Sequence, residues 1–132
     1  MIGVWGSHSS QFLSMVGWLI IVAFAIPITI WPFQWAKVVG WEIPKQTDLA
    51  LYFGRCLGCV GGAVASFSIL AANSPLVQPF YFKLLLAIWV LMVILHIYGA
   101  FKQIQPILET YEIGFWFGLV LLTLCFWPNV PA

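Results

Sequence analysis

The chain has 132 residues, 63% of them hydrophobic and only 7% charged, with five Lys and Arg against four Asp and Glu. A soluble domain carries about 25% charged residues to cover its water-facing surface, so this composition excludes an ordinary soluble domain and points to an integral membrane protein of single-domain length. A net charge of +1 also excludes the basic face that nucleic-acid binding needs.

The opening MIGVWGSHSS has no Lys or Arg before the first apolar run. A secretory signal peptide begins with a basic region, so the first apolar segment is expected to be a retained helix. A spanning helix needs about 20 mostly apolar residues, and four segments meet that. The first is predicted over residues 12–31, kinked near its end by Pro27, because proline lacks an N–H and crowds the preceding turn. Next comes WPFQWAKVVGWEIP, residues 31–44. Trp31, Trp35 and Trp41 suit a short segment lying at headgroup level.

The second span is predicted over 49–72, with Thr47 or Asp48 as N-cap. The third runs over 81–100, after the breaker SPLVQP, and the fourth over 106–127, with Pro106 at its first position and Pro128 as its stop. The expected architecture is all-α, a four-transmembrane-helix bundle covering 1–132 as one domain. Four crossings put both termini on one side. Lys37, Lys45, Lys102 and Arg55 fall on the other side and Lys83 alone on the termini side. The positive-inside rule therefore assigns the 31–48 and 101–112 connections to the cytoplasm and the termini to the non-cytoplasmic face.

Polar residues are expected to gather at the cytoplasmic end. Arg55 lies seven residues past Asp48, about 10 Å into its helix at 1.5 Å per residue. It either snorkels to the interface or pairs with Glu109 or Glu112, which enter the same layer in the first turns of the fourth span. Glu109 and Glu112 share a face through their i, i+3 spacing. His96 approaches from the third span, and Tyr52, Tyr98 and Tyr111 are expected to extend the cluster. Arg55, His96, Glu109 and Glu112 are thus the candidates for ion pairing or ligand binding. The structural ion pair outranks a lipid-headgroup or small-ligand site. A proton relay or metal site ranks last, since one His with two acids is a weak metal pattern. A bis-histidine haem is disfavoured because His8 lies at the opposite end.

Cys56 and Cys59 spell C-x-x-C among Gly, Leu and Val, apolar surroundings that offer nothing to activate a thiol. They read as small packing residues. Vitamin K epoxide reductase-like proteins add a second cysteine pair in an outer loop, and that pair is missing here. Gly54, Gly58 and Gly62 recur every four residues and mark a helix face crossed closely by another helix. Over Gly54 to Gly62 the glycine-rich run entered by Arg55 resembles the DoxX-like four-helix membrane proteins, a likeness confined to that stretch that carries no function over. Helices three and four are bulky by contrast. No catalytic constellation or cofactor motif stands out. The expected role is non-enzymatic: an accessory or structural subunit of a larger membrane complex or homo-oligomer, whose partners are the lipid bilayer and other membrane chains or copies of itself. The alternative is a small carrier or enzyme binding a lipophilic or anionic ligand at the polar cluster.

Overall fold

The structure is a computed structural model that describes residues 2–129. The single domain expected over 1–132 thus includes terminal residues outside that range. Among the described residues the fold is entirely helical. Four helices are long and apolar enough to cross a membrane: α1, Gly6–Ile30; α3, Asp48–Ala72; α4, Gln78–Lys102; and α5, Ile107–Cys125. A fifth, α2, covers Pro32–Val38.

The expected kink of α1 takes a particular form. The helix opens with a 3-10 turn, Gly6–His8, and widens into a π-helical turn over Ile21–Ala25 before its last segment. Pro27 cannot donate to the Ala23 carbonyl four residues back. The indole N–H of Trp35, on α2, donates to that carbonyl instead at 3.1 Å. Trp31 leaves the helical region (φ −126°, ψ 56°), as a residue preceding proline tends to. Pro32 then starts α2 at the position where proline costs nothing. Within the short segment expected over 31–44, Pro32–Val38 is helical, and Trp35 ties it to α1.

Other boundaries move by a few residues. α1 starts at Gly6 rather than Phe12, entering through the 3-10 turn Gly6–His8. α3 begins as expected, but Thr47 caps it without a side-chain hydrogen bond. α4 starts at Gln78 rather than Tyr81, because Pro79 is tolerated in a first turn. Pro106 precedes α5 as its N-cap (φ −60°, ψ 157°) rather than opening it, and α5 ends at Cys125, short of Trp127.

α3 packs along α1, and α5 along α4. The glycine ladder of α3 is covered by the second half of α1 and the first residue of α2. A methyl on Gly58 would run into Ile28 and the backbone of Thr29, one on Gly54 would lie 3.2 Å from Pro32, and one on Gly62 would meet Ala25 at 3.6 Å. The partner left open by the sequence is thus α1. The core that joins the two pairs lies at the termini end: Phe12, Leu13 and Val16 of α1, Ala71 and Ala72 of α3, and Tyr81, Phe82, Leu85 and Trp89 of α4. Phe126, just past α5, stacks on Phe12 at 4.9 Å.

The buried hydrogen bonds concentrate at this end too. Gln78 accepts from Ser9 Oγ and donates to Ser10 Oγ, both at 2.8 Å, and donates to the Ala72 carbonyl at 3.1 Å. Ser68 donates to the Leu13 carbonyl, Tyr81 to the Val64 carbonyl, and the Trp89 indole to Thr123. Buried polar groups without partners cost about 1–3 kcal/mol each, and these are satisfied. Residues 3 and 5 donate their backbone N–H groups to Leu124 and Cys125 at 2.9 Å, filling carbonyls that a helix end leaves open.

Candidate functional site

At the opposite end, α4 turns into α5 through a tight hairpin. Gln103, at the C-terminal cap of α4, takes the left-handed conformation (φ 55°, ψ 38°). Its N–H bonds to Ala100 O at 3.2 Å, and that of Ile104 reaches Gly99 O at 3.1 Å, the Schellman pattern of helix termination. The chain reverses at once, so the first turns of α5 lie beside the last turns of α4.

Gln105 locks the hairpin. Its side chain folds over Gly99, where a Cβ would collide with it. Its amide donates to the His96 carbonyl at 3.0 Å and to Thr110 Oγ1 at 3.2 Å. His96 is buried, at 3% exposure, and faces α5. Its Nδ1–H donates to the Met92 carbonyl at 2.7 Å; a carbonyl can only accept, so Nδ1 carries the proton. Nε2 then lies 3.0 Å from Glu109 Oε2 and 3.6 Å from a carboxylate oxygen of Glu112. The other oxygen of Glu109 accepts the Trp41 indole N–H at 2.7 Å. That bond anchors the connection after α2 to the cluster, and Gly40 (φ 89°) packs beside Pro106 there.

The floor of the cluster is aromatic. Trp116 sits 5.8 Å from the His96 ring and 5.5 Å from Trp89, centroid to centroid. Its indole nitrogen is buried and has no close acceptor. The opening lies on the other side, where the Glu112 side chain is 28% exposed against 14% for Glu109. Glu109 stands in the first turn of α5, where the helix dipole favours a negative charge.

Of the sequence candidates, His96, Glu109 and Glu112 come together. Arg55 does not: it is exposed on α3, and among the described residues the ion pairs are those of His96 with the two glutamates. The expected Arg55–Glu109 or Arg55–Glu112 pair fails because α3 is packed along α1, while the acids belong to the α4–α5 pair. Equal depth along two helices does not make them neighbours. Tyr52, Tyr98 and Tyr111 are also exposed, at 65%, 54% and 71%, and do not extend the cluster. Cys56, Cys59 and Cys125 are free thiols.

Sequence reasoning missed Trp41, Gln105, Thr110 and Trp116. Gln105 carried a signal, as a polar residue between a helix end and Pro106, opposite a glycine. Trp41 carried none beyond its expected interfacial role. Without Arg55 the cluster holds two carboxylates and one imidazole and no permanent positive charge, so it is suited to a cation rather than an anion. Comparison with family models, with curated proteins and with solved structures finds no match to this chain.

Proposed function

We propose that the chain is a four-span integral membrane protein that binds a small cationic ligand at the His96–Glu109–Glu112 cluster. The spans are α1, α3, α4 and α5, and the cluster lies near the cytoplasmic ends of α4 and α5. Lysines 37, 45 and 102 accompany it there, and both termini face the other side, as the positive-inside rule requires. The observation that carries the function is one buried imidazole facing two carboxylates at 3.0 and 3.6 Å in a helix pair otherwise nearly free of charge. Ionisable groups at membrane depth are costly and usually mark ligand or ion sites. The same geometry weighs against the anionic-ligand alternative, whose anchor was to be Arg55.

The test is thermal stability of the detergent-solubilised chain against a panel of small cations: protons, sodium, calcium, zinc(II) and choline. A ligand bound only by the folded state stabilises it by about 2.7 kcal/mol at one hundred times its Kd. At least one cation is expected to raise the Tm of the wild type and not that of Glu109→Gln/Glu112→Gln. If every cation shifts both proteins equally, the cluster is a structural hydrogen-bond network and the reading is lost.

A second reading, as an accessory subunit of a larger membrane complex or a homo-oligomer, is favoured by a separate observation. Gly114 and Gly118 on α5 form a G-x-x-x-G pair with nothing within 4 Å of where their Cβ atoms would be. Such pairs in apolar helices let a second helix approach closely, and Phe115 and Phe117 stand exposed beside them.

A further inference from the structure

We propose that His96, Glu109 and Glu112 form a three-ligand site for a divalent first-row transition-metal ion, with an open coordination position on the Glu112 side. The inference rests on the cation-site reading above and narrows it to one chemical class.

With its Nδ1–H committed to the Met92 carbonyl, His96 in its neutral form directs the Nε2 lone pair at carboxylate oxygens. In that form no donor stands among the three atoms, and the imidazole is 4% exposed. A positive charge belongs between these atoms, and it is either a proton on Nε2, which makes the contacts ion pairs, or a bound metal ion. The nearby indole nitrogen of Trp116 is buried without a close acceptor, and the Glu112 carboxylate is the acceptor beside it.

The three donor atoms lie within 4.8 Å of one another. Ligand atoms about 2.1 Å from a tetrahedral ion stand about 3.4 Å apart. The observed 3.0 and 3.6 Å from Nε2 straddle that spacing, so small carboxylate rotations complete the site.

A metal-bound histidine characteristically donates its other ring N–H to a carbonyl, and a ligating carboxylate is itself hydrogen-bonded. Both features are present, in Met92 O for His96 and in the Trp41 indole for Glu109. One nitrogen and two oxygen donors suit zinc(II), iron(II), cobalt(II) or manganese(II) better than calcium or copper(I).

The experiment uses the full chain in detergent, stripped with a chelator and titrated with cobalt(II), whose visible absorption reports low-coordinate ligation. Bound metal is counted by elemental mass spectrometry after gel filtration. The wild type is expected to take up about one cobalt(II) per chain, displaced by zinc(II). Trp41→Phe, which removes an outer-shell bond, is expected to weaken binding about 10- to 100-fold. Glu112→Gln leaves the His96–Glu109–Trp41 contacts in place and is expected to weaken it by more than that, while Glu42→Gln binds as wild type. Absence of saturable cobalt(II) uptake by the wild type overturns the inference without recourse to any variant. So does a Glu112→Gln protein that binds as the wild type does. If protons or sodium stabilise the wild type through the cluster but cobalt(II) does not bind, the metal site falls and the cation reading stands.

Discussion

The glycines of α3 show how much a single side chain can matter in this fold. At Gly58 a Cβ would press on the Thr29 backbone nitrogen at 2.9 Å and Ile28 Cγ2 at 2.7 Å, and backbone cannot turn aside as a side-chain tip can. At Gly62 the nearest atom is Ala25 Cβ at 3.6 Å, an ordinary contact. Gly58→Val is therefore expected to destabilise the protein by about 1–3 kcal/mol, the usual cost of overpacking. Gly62→Ala is expected to be neutral or stabilising by up to about 1 kcal/mol, because alanine is the better helix former. Unfolding in mixed micelles with rising dodecyl sulfate fraction measures both. Equal effects at the two positions would refute the asymmetric crossing of α1 over α3. The periodicity of these glycines was readable from the chain; which of them tolerates a methyl was not, since that depends on what α1 places opposite each one.

Along α1 and α2 the controlling fact is an accounting of carbonyls. Pro27 withholds a donor from Ala23, and Trp35 supplies one from the next helix. A carbonyl left open in apolar surroundings costs about 1–3 kcal/mol. Trp35→Phe keeps an aromatic ring beside Phe24, whose centroid is 5.4 Å away, but removes the N–H. It is expected to lower stability by about 1–3 kcal/mol in the same micellar unfolding assay. An unchanged midpoint would show that Ala23 finds a partner in water or lipid headgroups instead. Proline kinks are legible in a sequence. The donor that repairs one is not, because its identity depends on where the following helix folds back. The same holds at Gln103, whose left-handed backbone no local signal announced, although that residue sets the α4–α5 hairpin and hence the approach of Glu109 to His96.

Taken whole, the molecule divides its labour between two ends. The termini end holds the shared core and the satisfied Ser–Gln–Thr hydrogen bonds, and the other end holds the titratable cluster. The polar lock expected at the cytoplasmic end thus has its counterpart at the opposite one. Four crossings predict that Leu76 and Lys45, in connections at opposite ends, face opposite sides of the membrane. In a background lacking Cys56, Cys59 and Cys125, Leu76→Cys is expected to react with an impermeant maleimide from outside intact cells and Lys45→Cys only after permeabilisation. The same background carrying Gly114→Cys is expected to form a cross-linked homodimer if α5 is a self-association face. Labelling of both loops from one side would refute the four-span topology, and a Gly114→Cys protein that stays monomeric under oxidant would remove the homo-oligomer form of the subunit reading.

Composition and run length were enough to establish four long apolar helices, because hydropathy and helix length are local properties summed along the chain. The glycine ladder, the proline break and the i, i+3 pairing of Glu109 with Glu112 were legible for the same reason. Which helix lies beside which was not, because all four are apolar on most of their surface and any pairing would bury similar groups. That choice removed Arg55 from the acids, delivered His96 to them, and brought in Trp41 and Gln105 from the connections. It turned an expected arginine–carboxylate lock into a histidine with two carboxylates, the arrangement on which the cation-site proposal rests.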